Sequence, residues 1–365
     1  MKKAHVIMLL LLCLVGYSAF GQADSSSEEP NLINTEMLKK MTVAIENQTY
    51  PNVHSVLIHY KGNLVFEKYF SGKDESWGTD LGVVEHGENT LHDLRSLTKS
   101  IVSICFGLAI QNGFIENVEE KVFTYFPEYG DLNIGLHQEI TLKHLLTMTS
   151  GLEWNEDLPY TNPKNSETAM VMSDDPIRYV LSRPLQESPG SVWNYNGGTT
   201  ELLSVILHKA TGLNIEEFAV EYLFKPLEID TYYWTKAPGQ EHPIAASGLR
   251  MLPSDILKIG VVLLQDGYYK GEELLNKQWV EESFTSHVKR GKNGGYGYQF
   301  WIDQSPDGKE PNKLVTAVGN GDQRIYLDKS KQLVVVTTAG NYNIWDLEKG
   351  SFQLLTDFIY PALEK

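Results

Sequence analysis

Apolar positions along the chain fall into two regimes. Near both ends they crowd into short β-branched runs, and between these they recur at helical spacing. The stretch "VHSVLIHYKGNLVFEKYF" carries two such runs around "KGN", which predicts a hairpin with strands at Val53–Tyr60 and Leu64–Phe70. Strand character returns late, in "GYGYQFWI", "RIYLD" and "QLVVVTTAG". In between, periodicity with start or stop signals predicts helices over Ser96–Asn112, Leu142–Met148, Thr199–Thr211, Ile215–Tyr222 and Pro253–Asp266. Further helices are expected at Thr35–Asn47 and Phe352–Leu363. This order implies an α+β fold: one antiparallel sheet built from both ends of the chain, flanked by helices, with an all-helical subdomain inserted at roughly residues 91–290. A cleft between the two parts is the natural place for a ligand.

Composition then narrows the field. With 365 residues and 42% hydrophobic content, the chain can bury a large core. The opening "MKKAHVIMLLLLCLVGYSAFG" has the layout of a cleaved secretory signal, so residues 1–21 are expected to be removed and the product exported, to the periplasm or outside the cell. Its apolar run is short of the ~20 residues that span a bilayer, which argues against a retained anchor. Cys13 is a poor lipoprotein site, because Leu12 stands where a small residue is wanted. Residues 22–34 read as a polar linker, leaving 35–365 as the folded domain. Losing Lys2 and Lys3 moves the net charge from -16 to -18, which disfavours nucleic acid and anionic membranes as partners. The mature chain keeps one cysteine, Cys105, within the apolar "SICFGLAI", so no internal disulfide forms. CxxC and HExxH patterns are absent and the ten histidines are scattered, so no dedicated metal site is predicted. Only one assembled from residues distant in sequence stays open.

The candidate chemistry begins at "LRSLTKSI". Ser96 and Lys99 are three apart and share one helical face, ahead of a run that is apolar nearly all round. Desolvation there is expected to lower the lysine pKa, giving a neutral amine that takes the serine proton as the oxygen attacks a carbonyl. Helix N-terminal N–H groups would hold the resulting oxyanion. The competing reading is a serine that starts a helix and a lysine that snorkels to water. The chain contains its own control in "SHVK", Ser286 to Lys289, which has the spacing but sits in a polar, glycine-bearing loop.

Two further stretches add candidates. In "SPGSVWNYNGGTTELLSVIL", Tyr195 lies between a turn and a helix, with Gly197 and Gly198 read as a sharp bend. A phenol beside an ammonium group is driven toward phenolate and can exchange a proton with a nucleophile or leaving group. A tyrosine that only anchors the loop by packing is the alternative. In "AVGNGDQRIYLD", Gly319, Asn320 and Gly321 precede a strand whose edge can supply a second oxyanion N–H, or form an ordinary turn.

Together these stretches, with "VFTYFPEY", "ITLKHLLTMTSGL", "GLRMLPSDILKIG" and "LVVVTTAG", resemble the serine β-lactamase and penicillin-binding-protein family, in particular its class C-like branch with esterases and D-amino peptidases. The resemblance runs from about His54 to Gly340. It implies a β-lactamase/transpeptidase-like fold, Ser96 as acylated nucleophile, Lys99 as its proton partner and Tyr195 as general base. The N–H groups of Ser96 and of a residue near Asn320 would form the oxyanion hole. No cofactor is implied, and the partner is a small-molecule or peptide substrate. The chain departs from the family at two places. Tyr195, Asn196 and Gly197 stand where Tyr-x-Asn is frequent, so Asn196 becomes the substitute contact for a substrate amide. Ala317, Val318 and Gly319 stand where Lys-Thr-Gly or His-Thr-Gly is usual, which removes a cation for a substrate carboxylate. An esterase or amidase, a β-lactamase or D,D-peptidase, and a non-catalytic peptide binder all stay open, with the loops "GKDESWGTDLGVVEHGEN" and "NEDLPYTNPKNSETAMVMSDD" expected to shape the pocket. Oligomeric state is not legible in the sequence.

Overall fold

The computed structural model describes residues 33–363 apart from 238, 241, 293 and 310, so the expected leader and nearly all of the linker lie outside the described residues. The last linker residues already belong to the fold: Ile33 is buried, and the Asn34 side chain accepts from the N–H groups of Glu36 and Met37 to start helix α1 (Thr35–Glu46). The predicted hairpin follows as β1 (Val53–Tyr60) and β2 (Asn63–Tyr69). A second hairpin, β3 (Gly72–Ser76) and β4 (Thr79–Val84), leads to the short β5 (His92–Asp93).

The middle of the chain contains α2 (Thr98–Gln111), α3 (Leu142–Leu146), α4 (Ser166–Val171), α5 (Pro176–Leu181), α6 (Gly197–Thr211), α7 (Ile215–Ala219), α8 (Pro253–Leu264) and α9 (Lys277–Ser283). It also contains strands that the pattern did not reveal. β6 (Tyr232–Trp234) and β7 (Leu249–Met251) join β5 in a small sheet, and β8 (Tyr268–Tyr269) pairs with β9 (Glu272–Glu273). At two or three residues each, these are too short to show alternation.

The expected single sheet from both ends is present. Its order is β10-β11-β12-β13-β14-β15-β1-β2, with β10 (Val288–Arg290), β11 (Gly294–Tyr296), β12 (Trp301–Gln304), β13 (Lys313–Gly319), β14 (Gln323–Asp328) and β15 (Leu333–Ala339), all neighbours antiparallel. β1 and β15 are buried along their whole length, because the sheet is covered on both faces. Alternation decides which residue serves which face. Val56, Ile58, Leu333 and Val335 join the core under α1 and the C-terminal helices α10 (Ser351–Leu354) and α11 (Tyr360–Leu363). Leu57, Val334 and Val336 join the larger core shared with α2, α6 and α8. Gly260 on α8 is required there: a Cβ would lie 2.6 Å from Val334 Cγ1. No helix among the described residues is long and apolar enough to cross a membrane.

Candidate active site

The start of α2 is set by three contacts from different parts of the chain. Leu94 donates its N–H to Leu249 O on β7, Thr98 Oγ1 accepts the Leu249 N–H, and Ser100 Oγ donates to Gln299 O. Ser96 sits in a single 3-10 turn, Arg95–Leu97, ahead of α2 proper, so the helix expected from Ser96 starts two residues later. Arg95 has φ +50°, the left-handed region, in which a non-glycine residue persists only when its surroundings hold it. Here they do: Arg95 pairs with Glu75 and, at 3.2 Å, with Asp93, and its guanidinium lies over the Tyr342 ring at 4.9 Å. Ser96 is therefore presented on a constrained turn at the mouth of a buried helix.

Lys99 is 1% exposed. Its Nζ donates to Ser96 Oγ at 3.2 Å and to Ala246 O at 2.9 Å, lies 3.7 Å from Glu167 Oε2 and stands 5.1 Å above the Tyr195 ring. Burial opposes the charge as the sequence led us to expect, but Tyr195, Glu167 and Glu156 together outweigh it, and the lysine pKa ends above its ordinary value. The expected neutral amine is thus corrected to an ammonium. Tyr195 is raised as well, by burial first, against the pull of Lys99 and of its hydrogen bond to Ser96, so it rests as a neutral phenol.

Three buried carboxyl groups around this pair were not read from the sequence. Glu156 and Glu167 lie in the loop taken for a pocket rim, and Glu201 lies on α6. Glu156 accepts from Gly197 N–H and Trp154 Nε1, each at 2.5 Å, and from the Tyr160 hydroxyl at 3.1 Å. Burial, then repulsion from Glu167, pushes its pKa up to about 8. Glu167 accepts from Ser247 Oγ at 3.2 Å, while its Oε2, the atom facing Lys99, has no hydrogen-bond partner among the described residues. Glu201 takes the N–H groups of Ala246 at 2.8 Å and Ala245 at 3.2 Å, and so holds the carbonyl that receives Lys99. Burial raises its pKa to about 7. No sequence spacing unites these three residues; the fold alone brings them together near Lys99.

Tyr195 reaches this group because its loop hangs on the segment "TMTSG". Asn194 N–H donates to Met148 O at 2.9 Å and Gly190 N–H to Thr149 O at 2.7 Å. Gly197 and Gly198 form no bend; they are the first turn of α6, and each is small because of what abuts it. A Cβ at Gly197 would lie 2.4 Å from Glu167 Oε2, and one at Gly198 would lie 2.7 Å from the Trp154 ring. Asn196, offered as a substrate contact, is 1% exposed and caps α6 with Oδ1 on Thr199 N–H at 3.1 Å, while its Nδ2 has no partner among the described residues. Its neighbour Asn194 lines the cleft instead.

Opposite Tyr195, β13 ends against the turn that carries Ser96. Gly319 is needed for that approach, since a Cβ would lie 2.1 Å from Leu94 O. Close packing of the chain on itself is what this glycine provides. Asn320 is locked to the loop after β15, donating Nδ2–H to Asn343 Oδ1 at 2.9 Å and accepting Asn343 N–H at 2.8 Å. Gly321, at φ +90°, packs under Tyr342. Ser96, Tyr195, Gly319, Asn320 and Gly321 all line one cleft of about 900 Å³. Trp154, Tyr160, Trp193, Trp301 and the exposed Trp345 give it aromatic walls. Both guanidinium groups lining it are engaged: Arg290 pairs with Asp303 at 2.6 Å and stacks 4.3 Å over Trp301, and Arg324 pairs with Asp322 at 3.1 Å and donates to Gly319 O. Residues 155–160 contribute to the walls as expected, whereas none of the lining residues comes from 72–89.

An antiparallel sheet formed by both chain ends, a helical insertion and a Ser-x-x-Lys turn at the cleft between them define the β-lactamase/transpeptidase-like class of fold. The chain belongs to the Beta-lactamase family, whose sequence model matches residues 52–350. It is 26% identical to a Beta-lactamase of Yersinia enterocolitica, over 64% of this chain and 55% of that protein. It is 24% identical to the 6-aminohexanoate-dimer hydrolase of Paenarthrobacter ureafaciens, over 67% of this chain and 65% of that one. The matches thus span about 55% to 65% of the length of these relatives. Among solved structures, EstCE1, a hydrolase with promiscuous acyltransferase activity, superposes with a TM-score of 0.71 at 16% identity, covering 90% of this chain and 98% of that one, a likeness of fold.

Proposed function

We propose that the protein is an exported serine hydrolase that cleaves an ester or amide through an acyl-enzyme on Ser96. The observation that carries this reading is the Ser96 hydroxyl in hydrogen-bond contact with the buried Lys99 ammonium at the floor of an aromatic cleft. In the fraction of molecules in which Tyr195 is ionised, Ser96 Oγ attacks the substrate carbonyl carbon, its proton passes to the Tyr195 phenolate, and the carbonyl π electrons move onto oxygen. The N–H groups of Ser96 and of the β13 end near Asn320 receive that oxyanion. Collapse expels the alcohol or amine, which recovers the proton from Tyr195, and water repeats the sequence to release the acid. Lys99 serves as the cation that stabilises the Tyr195 phenolate at the moment of transfer, a role its retained proton supports.

Both arginines of the cleft are already paired and Ala317 stands in place of a cation, so the substrate read from this geometry is uncharged and apolar or aromatic next to the scissile bond. The similar proteins named β-lactamase favour a β-lactam as the second reading. The test is hydrolysis of p-nitrophenyl butyrate and of a chromogenic cephalosporin by wild type and Ser96→Ala at equal folded concentration. Ester turnover that disappears in the variant, with slow or no cephalosporin turnover, is the expected result. Ester turnover that survives in Ser96→Ala overturns the proposal.

A further inference from the structure

The hairpin β3–β4, absent from the cleft, carries other chemistry. His54 on β1, Asp74 on β3, His86 beyond β4 and His92 on β5 each bring one donor atom within 4.8 Å of the others. All four side chains are buried: His54 and His92 are 0% and 1% exposed, and the side chains of His86 and Asp74 are 3% and 1% exposed. Two of them are aimed by irregularities in the sheets. The β1–β15 register slips between Val53 and Ser55, which leaves His54 as the bulged residue, and the β3–β4 register slips between Asp74 and Glu75.

Hydrogen bonding on the outer side of the cluster fixes the tautomers. Asn52 accepts the Lys73 N–H with Oδ1 and donates Nδ2–H to Lys73 O, both at 2.8 Å, so its oxygen faces His54 Nε2 at 3.3 Å. His92 Nδ1 faces the Asp93 carbonyl at 3.1 Å. Each imidazole therefore places its proton outward, on an acceptor, and turns a lone pair inward. With both protons on the outer nitrogens, the inward atoms His54 Nδ1 and His92 Nε2 meet lone pair to lone pair at 2.8 Å. That is a repulsive contact unless a cation sits against both. Beside them, His86 Nε2 and Asp74 Oδ2 are buried without hydrogen-bond partners among the described residues and lie 3.9 Å from each other. Asp74 Oδ1 accepts from the Tyr342 hydroxyl at 3.0 Å and lies 3.7 Å from His92 Nε2.

We propose that His54 Nδ1, His86 Nε2, His92 Nε2 and one Asp74 carboxylate oxygen bind a single divalent transition-metal ion, with Zn²⁺ in tetrahedral coordination as the best fit. Nitrogen-rich donors select against Ca²⁺ and Mg²⁺, and four protein ligands make a closed, structural site instead of an open catalytic one. The outer partners Asn52, Asp93 and Tyr342 are the supports such ligands require. The ion fastens β1, the β3–β4 hairpin and β5 together four residues before Ser96. It also steadies Asp93, which pairs with Arg95 at 3.2 Å and Arg250 at 3.1 Å, and hence the strained approach to the nucleophile. Hydrolysis itself uses no step at this ion.

The test is titration of the chelator-treated full chain with Co²⁺ alone, read by visible absorption, alongside elemental analysis and thermal unfolding with added Zn²⁺. The expected result is the intense visible band of four-coordinate cobalt saturating at one ion per chain, one Zn²⁺ displacing it, and a raised melting temperature. Asp74→Asn and His86→Ala should lose the band, and Tyr342→Phe should weaken binding about tenfold. The weak spectrum of six-coordinate cobalt, or no spectrum, in wild type that is folded by circular dichroism overturns the assignment. So does unchanged binding in the folded variants. The wild-type spectrum decides the question even if a ligand variant fails to fold.

Discussion

The chain contains Ser-x-x-Lys twice, and the two copies differ in everything but spacing. Ser96 and Lys99 open a helix that is buried along almost its whole length, and Lys99 is enclosed by Ser96, Ala246, Glu167 and Tyr195. Ser286 precedes the edge strand β10, where its hydroxyl donates to Val288 O at 3.2 Å, and Lys289 is exposed on that strand. In the first copy the ammonium group has lost its water and is held by carboxylates and carbonyl dipoles; in the second, water surrounds it. A Coulomb interaction is worth far more in the first setting. Residue spacing brings two groups together, and the surroundings decide what they do to each other.

The comparison is tested most severely by replacing the two serines. Ser96→Ala should reduce ester hydrolysis by about 10⁴-fold or more, the loss typical of a missing nucleophile, whereas Ser286→Ala should leave the rate unchanged. Similar losses in both would remove the distinction. Next in size, Lys99→Met should lower kcat by about 10²- to 10⁴-fold. It should also destabilise the fold by about 3 kcal/mol in denaturant titration, because Glu167 is left buried without its counter-ion. Stability equal to wild type would show that Lys99 is not held as an ion.

The pH dependence sharpens the electrostatic half of the comparison. Tyr195 titrates above its ordinary range, so the phenolate fraction grows about tenfold per pH unit through neutrality, and kcat/KM should climb from pH 6 to pH 9 without a plateau. A plateau near pH 7 would point to a different base. Stability should move the other way. The folded chain keeps a proton on Glu201 up to about pH 7 and on Glu156 up to about pH 8, while the unfolded chain releases both near 4.5. Folding therefore becomes less favourable as pH rises through that window. Between pH 6.5 and 8, above the range in which the buried imidazoles contribute, Glu156→Gln should flatten the fall in melting temperature. The smallest effect is expected from Lys289→Ala, within ~0.5 kcal/mol of wild type in stability and unchanged in activity.

Much of this site was legible in local signals. Ser96 and Lys99 stood out because a cation was written against an apolar run, and Tyr195 because turn residues and a helix start bracket it. The hairpin of β1 and β2 and the strand runs β14 and β15 announced themselves as β-branched apolar runs, and the long helices by apolar spacing with start or stop signals nearby. What escaped notice was nonlocal. Glu156 and Glu167 looked like loop acids until the chain folded them under Gly197, and with Tyr195 they reversed the titration expected for Lys99. Gly197 and Gly319 carried the mark of tight places, but only the packing shows that one makes room for carboxylates and the other for Leu94. The four donors His54, Asp74, His86 and His92 lie in separate strands and turns and have no spacing in common. Sequence by itself determined the long helices and several strands of the main sheet, and it marked the serine and its lysine, because both depend on neighbours within a few residues. Tertiary structure alone decided the protonation of that lysine and the meeting of the histidines, because burial and electrostatic fields are set by atoms far apart in the chain.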